Sequence, residues 1–146
     1  MIKTFRGLLA DASQDIIRLS TKKGKIGYRI VKLQTVPASP FNATQESIIK
    51  IFKVTQTTIT GTVDFADHNL LAVGIFKQHD STNYMAFESV IFDNEIFNQD
   101  IYITNYDAAT GEAINYYMEL ETMPLSDNAA AVSTLRDIRL NPQVGA

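Results

Sequence analysis

ESVIFDNEIFNQDIYITNY, residues 88–106, predicts two β-strands joined by a polar connection. The apolar run VIF in its first half has the length of a strand, whereas a helix needs ten or more residues. In the second half, Ile101 and Ile103 alternate with Tyr and Thr, as side chains do on opposite faces of a strand. We therefore expect strands over residues 89–93 and 100–105. Asn and Asp side chains between them favour a structured turn, and this pair is expected to form the centre of the domain.

Other apolar or alternating segments extend the β pattern along the chain. They cover residues 14–20, 26–34, 47–54, 62–65, 70–76 and 115–122. The first two flank a turn that contains Gly24, which predicts a hairpin. Gly74 predicts a bulge or a close approach within its strand. Segment 35–45 carries two prolines and is expected to be a surface loop.

After Pro124 the pattern changes to that of a helix. Ser126 or Asp127 can cap it, and Ala129, Val132 and Leu135 recur at helical spacing. Seven or eight strands with one short C-terminal helix predict an all-β fold, an antiparallel β-sandwich of jelly-roll type. We expect a single domain over residues 1–146, in which residues 1–13 form an N-terminal arm and residues 141–146 a loose tail.

Composition excludes several classes of protein. The chain has 146 residues, 45% hydrophobic and 20% charged, which is typical of one globular domain. A net charge of -3 indicates no nucleic-acid partner. The absence of cysteine excludes disulfides, a thiolate zinc site and a cysteine nucleophile. No apolar run approaches the roughly 20 residues of a membrane span, and no signal peptide is apparent.

Two acidic and histidine-containing segments could supply ligands to a zinc-like ion. Asp64, Asp67 and His68 precede one apolar strand, and His79 and Asp80 follow it. They could meet only if both loops lay at one end of the sheet. Neither segment has the spacing of a preassembled site, so polar turn residues are the favoured interpretation and no metal is expected.

Three acids in the opening stretch allow a second chemistry. Asp93, Glu95 and Asp100 could bind calcium or act as paired carboxylates on a glycoside. No glycine-punctuated calcium loop surrounds them, and a turn stabilised by its own side chains is the favoured interpretation.

The strand at 115–122 offers a third candidate. Tyr117, Glu119 and Glu121 share one face, opposite Tyr116, Met118 and Leu120. Tyrosines and carboxylates could form a carbohydrate-binding surface, although a solvated sheet face has the same pattern. Ser20, Ser39 and Ser47 lie in no nucleophile-elbow motif, and there is no phosphate-binding loop. We expect neither an enzyme, nor a cofactor, nor catalytic or metal-binding residues.

Aromatic side chains beside polar loops suggest contacts with other molecules at loop ends. They are Phe41, Tyr84, Phe87, Phe97 and Tyr106. Aromatic residues are enriched in interface cores, and a small β-core uses them as well. Both interpretations stay open.

Six segments carry a resemblance to a known group of proteins: YRIVKLQ, TQESIIKIFK, VDFADHNLLAVGIF, VIFDNEIFNQDIYIT, NYYMELE and STLRDIR. In order and spacing they resemble small β-rich virion structural proteins of marine tailed bacteriophages. The resemblance covers most of the chain, from about Phe5 to Leu140, and carries no functional residue.

This resemblance implies a virion component, expected on the capsid as a decoration, cement or vertex protein. A tail or baseplate component and a carbohydrate-binding module are the alternatives. The implied partners are other virion proteins, either the major capsid protein or tail components, and further copies in a homo-oligomer. Edge strands, the helix at residues 129–138 and the arm at residues 1–13 are the expected docking surfaces.

Overall fold

Eight strands and one helix form the part of the chain that the structure, a computed structural model, describes: residues 1–21, 23–82 and 84–140. They are β1 (Ile2–Leu9), β2 (Ser13–Ile17), β3 (Ile26–Pro37), β4 (Gln45–Phe52), β5 (Leu70–Gln78), β6 (Met85–Ile91), β7 (Ile101–Asp107), β8 (Ile114–Pro124) and α1 (Asp127–Leu140). The predicted tail at residues 141–146 lies outside the described residues.

The strands form two antiparallel sheets of unequal width. One has three strands in the order β1-β8-β3, and the other has five in the order β2-β7-β4-β5-β6. The first and last strands of the chain are neighbours in the narrow sheet. The predicted antiparallel β-sandwich with a C-terminal helix is confirmed.

The core lies between the two sheets. Its buried residues come from both inner faces: Leu9, Ile17, Leu19, Tyr28, Ile30, Leu33, Ile49, Ile51, Leu71, Ala72, Phe76, Phe97, Ile101, Ile103, Ile114, Tyr116, Met118 and Leu120. Their alternation along β8 follows from the period of two in a strand. Burial of this apolar surface is the main force that holds the sheets together.

A long loop, residues 53–69, covers the outer face of the wide sheet; we call it the strap. Its ends are joined by a hydrogen bond from Lys53 N to Asn69 O at 2.8 Å. Phe65 packs edge-on against Phe92, with 5.3 Å between the ring centroids. The strap contains no strand, so the strand predicted at residues 62–65 is wrong.

The order of the strands corrects two further predictions. β2 pairs with β7 and β3 pairs with β8, so the predicted hairpin does not form. The segment between them instead crosses from one sheet to the other. β6 and β7 are separated by β5 and β4, and β6 lies at an edge rather than at the centre of the domain.

The predicted arm at residues 1–13 is also wrong, because Ile2–Leu9 pairs with β8 along its full length. In β1 the side chains of Phe5 and Leu9 point inward and those of Arg6 and Leu8 outward. Gly74 pairs in regular register with Ile49, so it marks no bulge.

Helix α1 is held at its first turn and along one side. Ser126 Oγ accepts a hydrogen bond from Ala129 N at 3.1 Å, which confirms the predicted cap. Ala130 and Ser133 are buried, whereas Val132 and Leu135 are exposed. Ala130 and Ser133 therefore face the sandwich, whereas Val132 and Leu135 do not. Within the described ranges, no helix combines the length and hydropathy required to cross a lipid bilayer.

Candidate interaction surfaces

The outer face of the narrow sheet has no covering segment among the described residues, and we call it the open face. Its side chains form four rows across the sheet, given in the order β1, β8, β3: Ile2, Glu121, Arg29; Thr4, Glu119, Lys32; Arg6, Tyr117, Gln34; and Leu8, Asn115, Val36. The two rows at the β1 N-terminal end are charged, and the last row is largely apolar.

Ion pairs bind the charged rows of the open face together. Arg29 Nη2 lies 2.8 Å from Glu121 Oε2, and Lys32 Nζ lies 4.0 Å from Glu119 Oε2. The Tyr117 hydroxyl donates a hydrogen bond to Glu119 Oε2 at 2.7 Å. This bond to a carboxylate is the largest cause that raises the pKa of Tyr117. The acids predicted to share one face therefore do so, as members of a cross-strand network.

The other end of the open face is a shallow apolar depression of about 500 Å³. Leu8 and Val36 stand on its two sides, exposed by 59% and 56%. Arg6 and Tyr117 supply polar and aromatic surface beside them. Side chains of this kind are enriched where proteins bind one another.

Tyr116 lies beneath this depression and is 7% exposed. Its hydroxyl donates to Asp15 Oδ2 at 3.3 Å. Burial, followed by the charge of Asp15, raises the pKa of Tyr116 to about 12. Because Tyr116 belongs to the core, it cannot contribute to the carbohydrate-binding surface considered from the sequence.

A second surface is the free edge of the wide sheet at β6. Phe92 N bonds to Leu71 O at 3.0 Å, and His79 N bonds to Tyr84 O at 3.2 Å. In an antiparallel ladder such residues alternate, so the even-numbered residues of β6 bond to β5. The main-chain groups of Met85, Phe87, Ser89 and Ile91 therefore point away from the sheet.

Apolar side chains accompany these free main-chain groups. Tyr84, Met85, Phe87 and Val90 are exposed by 54%, 43%, 42% and 38%. Among the aromatic residues singled out in the sequence, Tyr84, Phe87 and Phe41 are exposed, whereas Phe97 is a core residue. A long apolar edge is a template for pairing with another strand.

The candidate metal ligands do not meet. Asp64, Asp67 and His68 precede β5, and His79 and Asp80 follow it. Nine residues of extended strand separate the two groups by roughly 30 Å. Among residues 1–21, 23–82 and 84–140 there is no cluster of three or more His, Asp or Glu side chains that could hold a metal ion.

Asp64 and Asp67 form hydrogen bonds within their own turns. Asp64 Oδ1 accepts from Ala66 N, and Asp67 Oδ1 accepts from Asn69 N, both at 2.9 Å. Each carboxylate bonds to an amide two residues further on, the arrangement of an Asx turn. The interpretation as turn residues holds for this pair.

The three acids of the opening stretch also have separate roles. Asp100 Oδ1 accepts from Leu19 N and Ser20 N at 2.7 and 2.8 Å. Burial raises the pKa of Asp100, but hydrogen bonds from Ser20 and Leu19, together with the charge of Arg18, lower it below its ordinary value. Glu95 Oε2 lies 3.1 Å from Lys53 Nζ, and Asp93 is exposed. Asp100 and Glu95 thus bond to distant segments, and the prediction of a turn stabilised by its own side chains is wrong for these two acids.

Two buried lysines were not predicted from the sequence. Lys50 and Lys53 are only 6% and 5% exposed. The strap covers Lys50, and Lys53 is the first residue of the strap. Lys50 Nζ donates to Thr62 O at 2.7 Å and lies 5.5 Å from the Phe52 ring centroid. Burial lowers the pKa of Lys50, and the nearby Asp67 raises it by less. The only signal in the sequence was the position of Lys50 on the less apolar face of β4.

A buried polar network closes one end of the sandwich. Asp107 is 6% exposed and accepts hydrogen bonds from the backbone amides of Glu46, Ala109 and Glu112 at 2.9, 3.0 and 2.7 Å. Burial raises the pKa of Asp107, and the amide bonds lower it by more. The carboxylate thus ties the loop that follows β7 to the start of β4.

No family model and no curated protein matches the chain. One similar solved structure comes from work titled "Bacillus endospore appendages form a novel family of disulfide-linked pili". It is 16% identical, covers 86% of this chain and 88% of the other, and has a TM-score of 0.37. At that score the likeness carries no argument about function, and this chain has no cysteine.

Proposed function

We propose that this protein is a structural component of a virus particle, which acts through protein–protein contacts and not through catalysis. Its place is on the capsid, as a decoration, cement or vertex protein. The resemblance to phage virion proteins is the reason for proposing a virus particle. The open face supports a role in protein–protein contacts. The single observation that carries the proposal is the apolar end of that face.

The open face has the features of a docking surface. Leu8 and Val36 offer apolar contact, and Arg6 and Tyr117 are residue types that dominate binding energy at interfaces. The ion pairs at Glu119 and Glu121 form a polar border to one side. An apolar centre with a polar rim is the usual anatomy of a specific interface.

Repetition explains how such a small surface is sufficient. A protein attached at many equivalent sites of a symmetric shell gains from multivalency if its copies are linked. Weak individual contacts then give a stable attachment. The mild net charge of -3 suits a partner of protein rather than nucleic acid.

The experiment is to purify particles from the host that carries this sequence and to label them with antibody against the chain. Gold on the capsid is the expected result, and gold on the tail would instead assign the protein to the tail or baseplate. Absence of the chain from purified particles would overturn the proposal.

A matched pair of variants tests the face itself. Leu8→Glu places a charge in the apolar depression, and we expect at least a tenfold loss of incorporation. Thr4→Glu introduces the same charge on the same face of β1 but in a charged row, and it serves as the control. Equal incorporation of the two variants would exclude the depression as the contact.

A further inference from the structure

We propose that the free edge of β6 pairs with β6 of a second copy of this chain, antiparallel, across a two-fold axis at Phe87. The inference rests on the proposed function, in which the protein acts through protein–protein contacts, and it identifies a second copy of the chain as one partner. The product is a continuous sheet of ten strands, five from each copy.

In the part of the chain that the structure describes, the main chain of β6 has unpaired hydrogen-bonding groups along its free edge. Four residues, Met85, Phe87, Ser89 and Ile91, direct their N–H and C=O groups away from β5, and none of these groups has a partner among the described residues. An added antiparallel strand would satisfy them. Strand addition at a sheet edge derives its affinity from such main-chain bonds.

The usual protections of an edge strand are missing here. Natural edges carry lysines, prolines or bulges that prevent pairing. The sequence of β6, MAFESVI, has no lysine or proline, and its register with β5 is regular. Glu88 is its only charged residue. Apolar side chains are exposed on both faces, since Met85 and Phe87 lie on the inner face and Val90 on the outer.

The charge of Glu88 selects the register. Two identical antiparallel strands related by a two-fold axis place one residue opposite itself. An axis at Glu88 would oppose two like charges, which is destabilising. An axis at Ser89 would leave Tyr84 without a partner residue in the other β6. An axis at Phe87 pairs Tyr84 with the partner's Val90, Met85 with the partner's Ser89 and Ala86 with the partner's Glu88.

On the inner face this register creates a row of four phenylalanines. Phe76 is the neighbour of Phe87 across β5 and β6, and the partner's Phe87 and the partner's Phe76 continue the row. Aromatic pairs across strands stabilise sheets. The half-exposed ring of Phe87 is thereby covered.

On the outer face the charges become complementary. Lys77 lies opposite Ala86 and already contacts Glu46 at 3.3 Å. In the proposed pair the partner's Glu88 is the next residue in this row, about 10 Å from Lys77 between α-carbons. Because Ala86 is small, the two long side chains can meet above it. Lys77 then lies between two carboxylates, and the arrangement occurs twice.

Cysteine cross-linking tests both the pairing and its register, because the natural chain has no cysteine. Residues 85 and 89 of opposite strands would form a hydrogen-bonded pair with α-carbons about 5.5 Å apart, a distance that a disulfide can span. The Met85→Cys/Ser89→Cys variant keeps Glu88 and is expected to yield a covalent dimer on mild oxidation. Each single variant serves as the control and is expected to remain uncross-linked. Efficient cross-linking of Ser89→Cys alone would overturn the register.

Solution mass tests the association without cysteines. Sedimentation of the natural chain from micromolar to millimolar concentration is expected to show a dimer, with Phe87→Glu at least tenfold weaker. Thr4→Glu, on the other sheet, should dimerise normally. A monomer throughout that range would overturn the inference even if the chain is found in particles, in which case the proposed function stands. If the chain dimerises but is absent from particles, the inference about β6 stands and the proposed function is overturned.

Discussion

The Nζ atom of Lys50 donates a hydrogen bond to the backbone oxygen of Thr62 at 2.7 Å, and this contact ties the strap to β4. The lysine carries its charge into a site that is 6% exposed. Its methylene groups and the ring of Phe52 supply apolar packing beneath the loop. This side chain thus helps to fix a loop of 17 residues that contains no strand of its own.

Lys50→Met is expected to release the strap while the rest of the sandwich stays folded. Methionine retains much of the side-chain volume but cannot donate to Thr62. Limited proteolysis within residues 57–66 should become several-fold faster. Lys32→Met, at an exposed lysine on the other sheet, is the control. An unchanged cleavage rate for Lys50→Met would show that the strap is held by other contacts.

Gly7→Ala is expected to destabilise the fold by about 1–3 kcal/mol, the usual cost of overpacking. A β-carbon at Gly7 would lie 2.8 to 2.9 Å from the phenol of Tyr116, which is held in the core. Gly74→Ala is the matched control, because its β-carbon would meet neighbours at an ordinary 3.5 Å. Urea unfolding of the two variants measures the difference. Equal stabilities would contradict the proposed crowding.

Asp107 is expected to make the free energy of unfolding depend on pH in the acidic range. Its pKa lies below the ordinary 3.8, so the folded state holds the proton less readily than the unfolded chain does. The stability that it contributes is therefore present above pH 3.8 and is lost as the pH falls through the lowered pKa.

Asp107→Asn should lower the free energy of unfolding at neutral pH by about 1–3 kcal/mol and flatten its decline in acid. The measurement is urea unfolding at a series of pH values from neutral to strongly acidic. Asp93→Asn, at an exposed carboxylate, is the control. An acid limb as steep in Asp107→Asn as in the natural chain would refute this role.

Asn98→Ala is expected to detach helix α1. The buried Asn98 amide donates to Gly24 O at 3.0 Å and to Thr134 Oγ1 at 2.8 Å, and its oxygen accepts from Ser133 Oγ at 3.3 Å. Loss of these bonds should increase hydrogen exchange in α1 much more than in β7. Asn94→Ala, in the same connection but exposed, is the control. Equal protection of α1 in both variants would show that the helix is held by other contacts.

The sequence predicts the fold best where the two-residue alternation within a single strand is sufficient to assign its faces. The alternation of Tyr116, Met118 and Leu120 with Tyr117 and Glu119 identified both faces of β8 correctly. Ser126 was equally predictable, because a cap depends on residues within one turn. These features are local, and local physics determines them.

Pairing partners were not predictable in the same way. Gly24 does adopt a positive φ of 62°, as its turn requires, yet the flanking strands join different sheets. Turn chemistry sets the path of the chain over a few residues and does not determine which strand lies alongside. The apolar run in β6 likewise indicated a strand and left its place at the edge undetermined.

The candidate site was predicted only in part. Glu119, Glu121 and Tyr117 were placed together because one strand carries all three. The apolar depression needs Leu8 from β1 and Val36 from β3 on either side of β8. No pattern within a single segment brings those residues together. The burial of Lys50 depends in the same way on a distant loop.

The placement of β8 between β1 and β3 has a consequence for biosynthesis. Because both outer strands of the narrow sheet depend on a segment more than 75 residues further along, neither has its neighbour until the ribosome has made nearly the whole domain. Distant pairing of this kind slows folding and prolongs exposure of unpaired edges. In the nascent polypeptide β1 therefore remains unpaired until β8 has been synthesised. A premature stop before Ile114 would prevent the narrow sheet from forming.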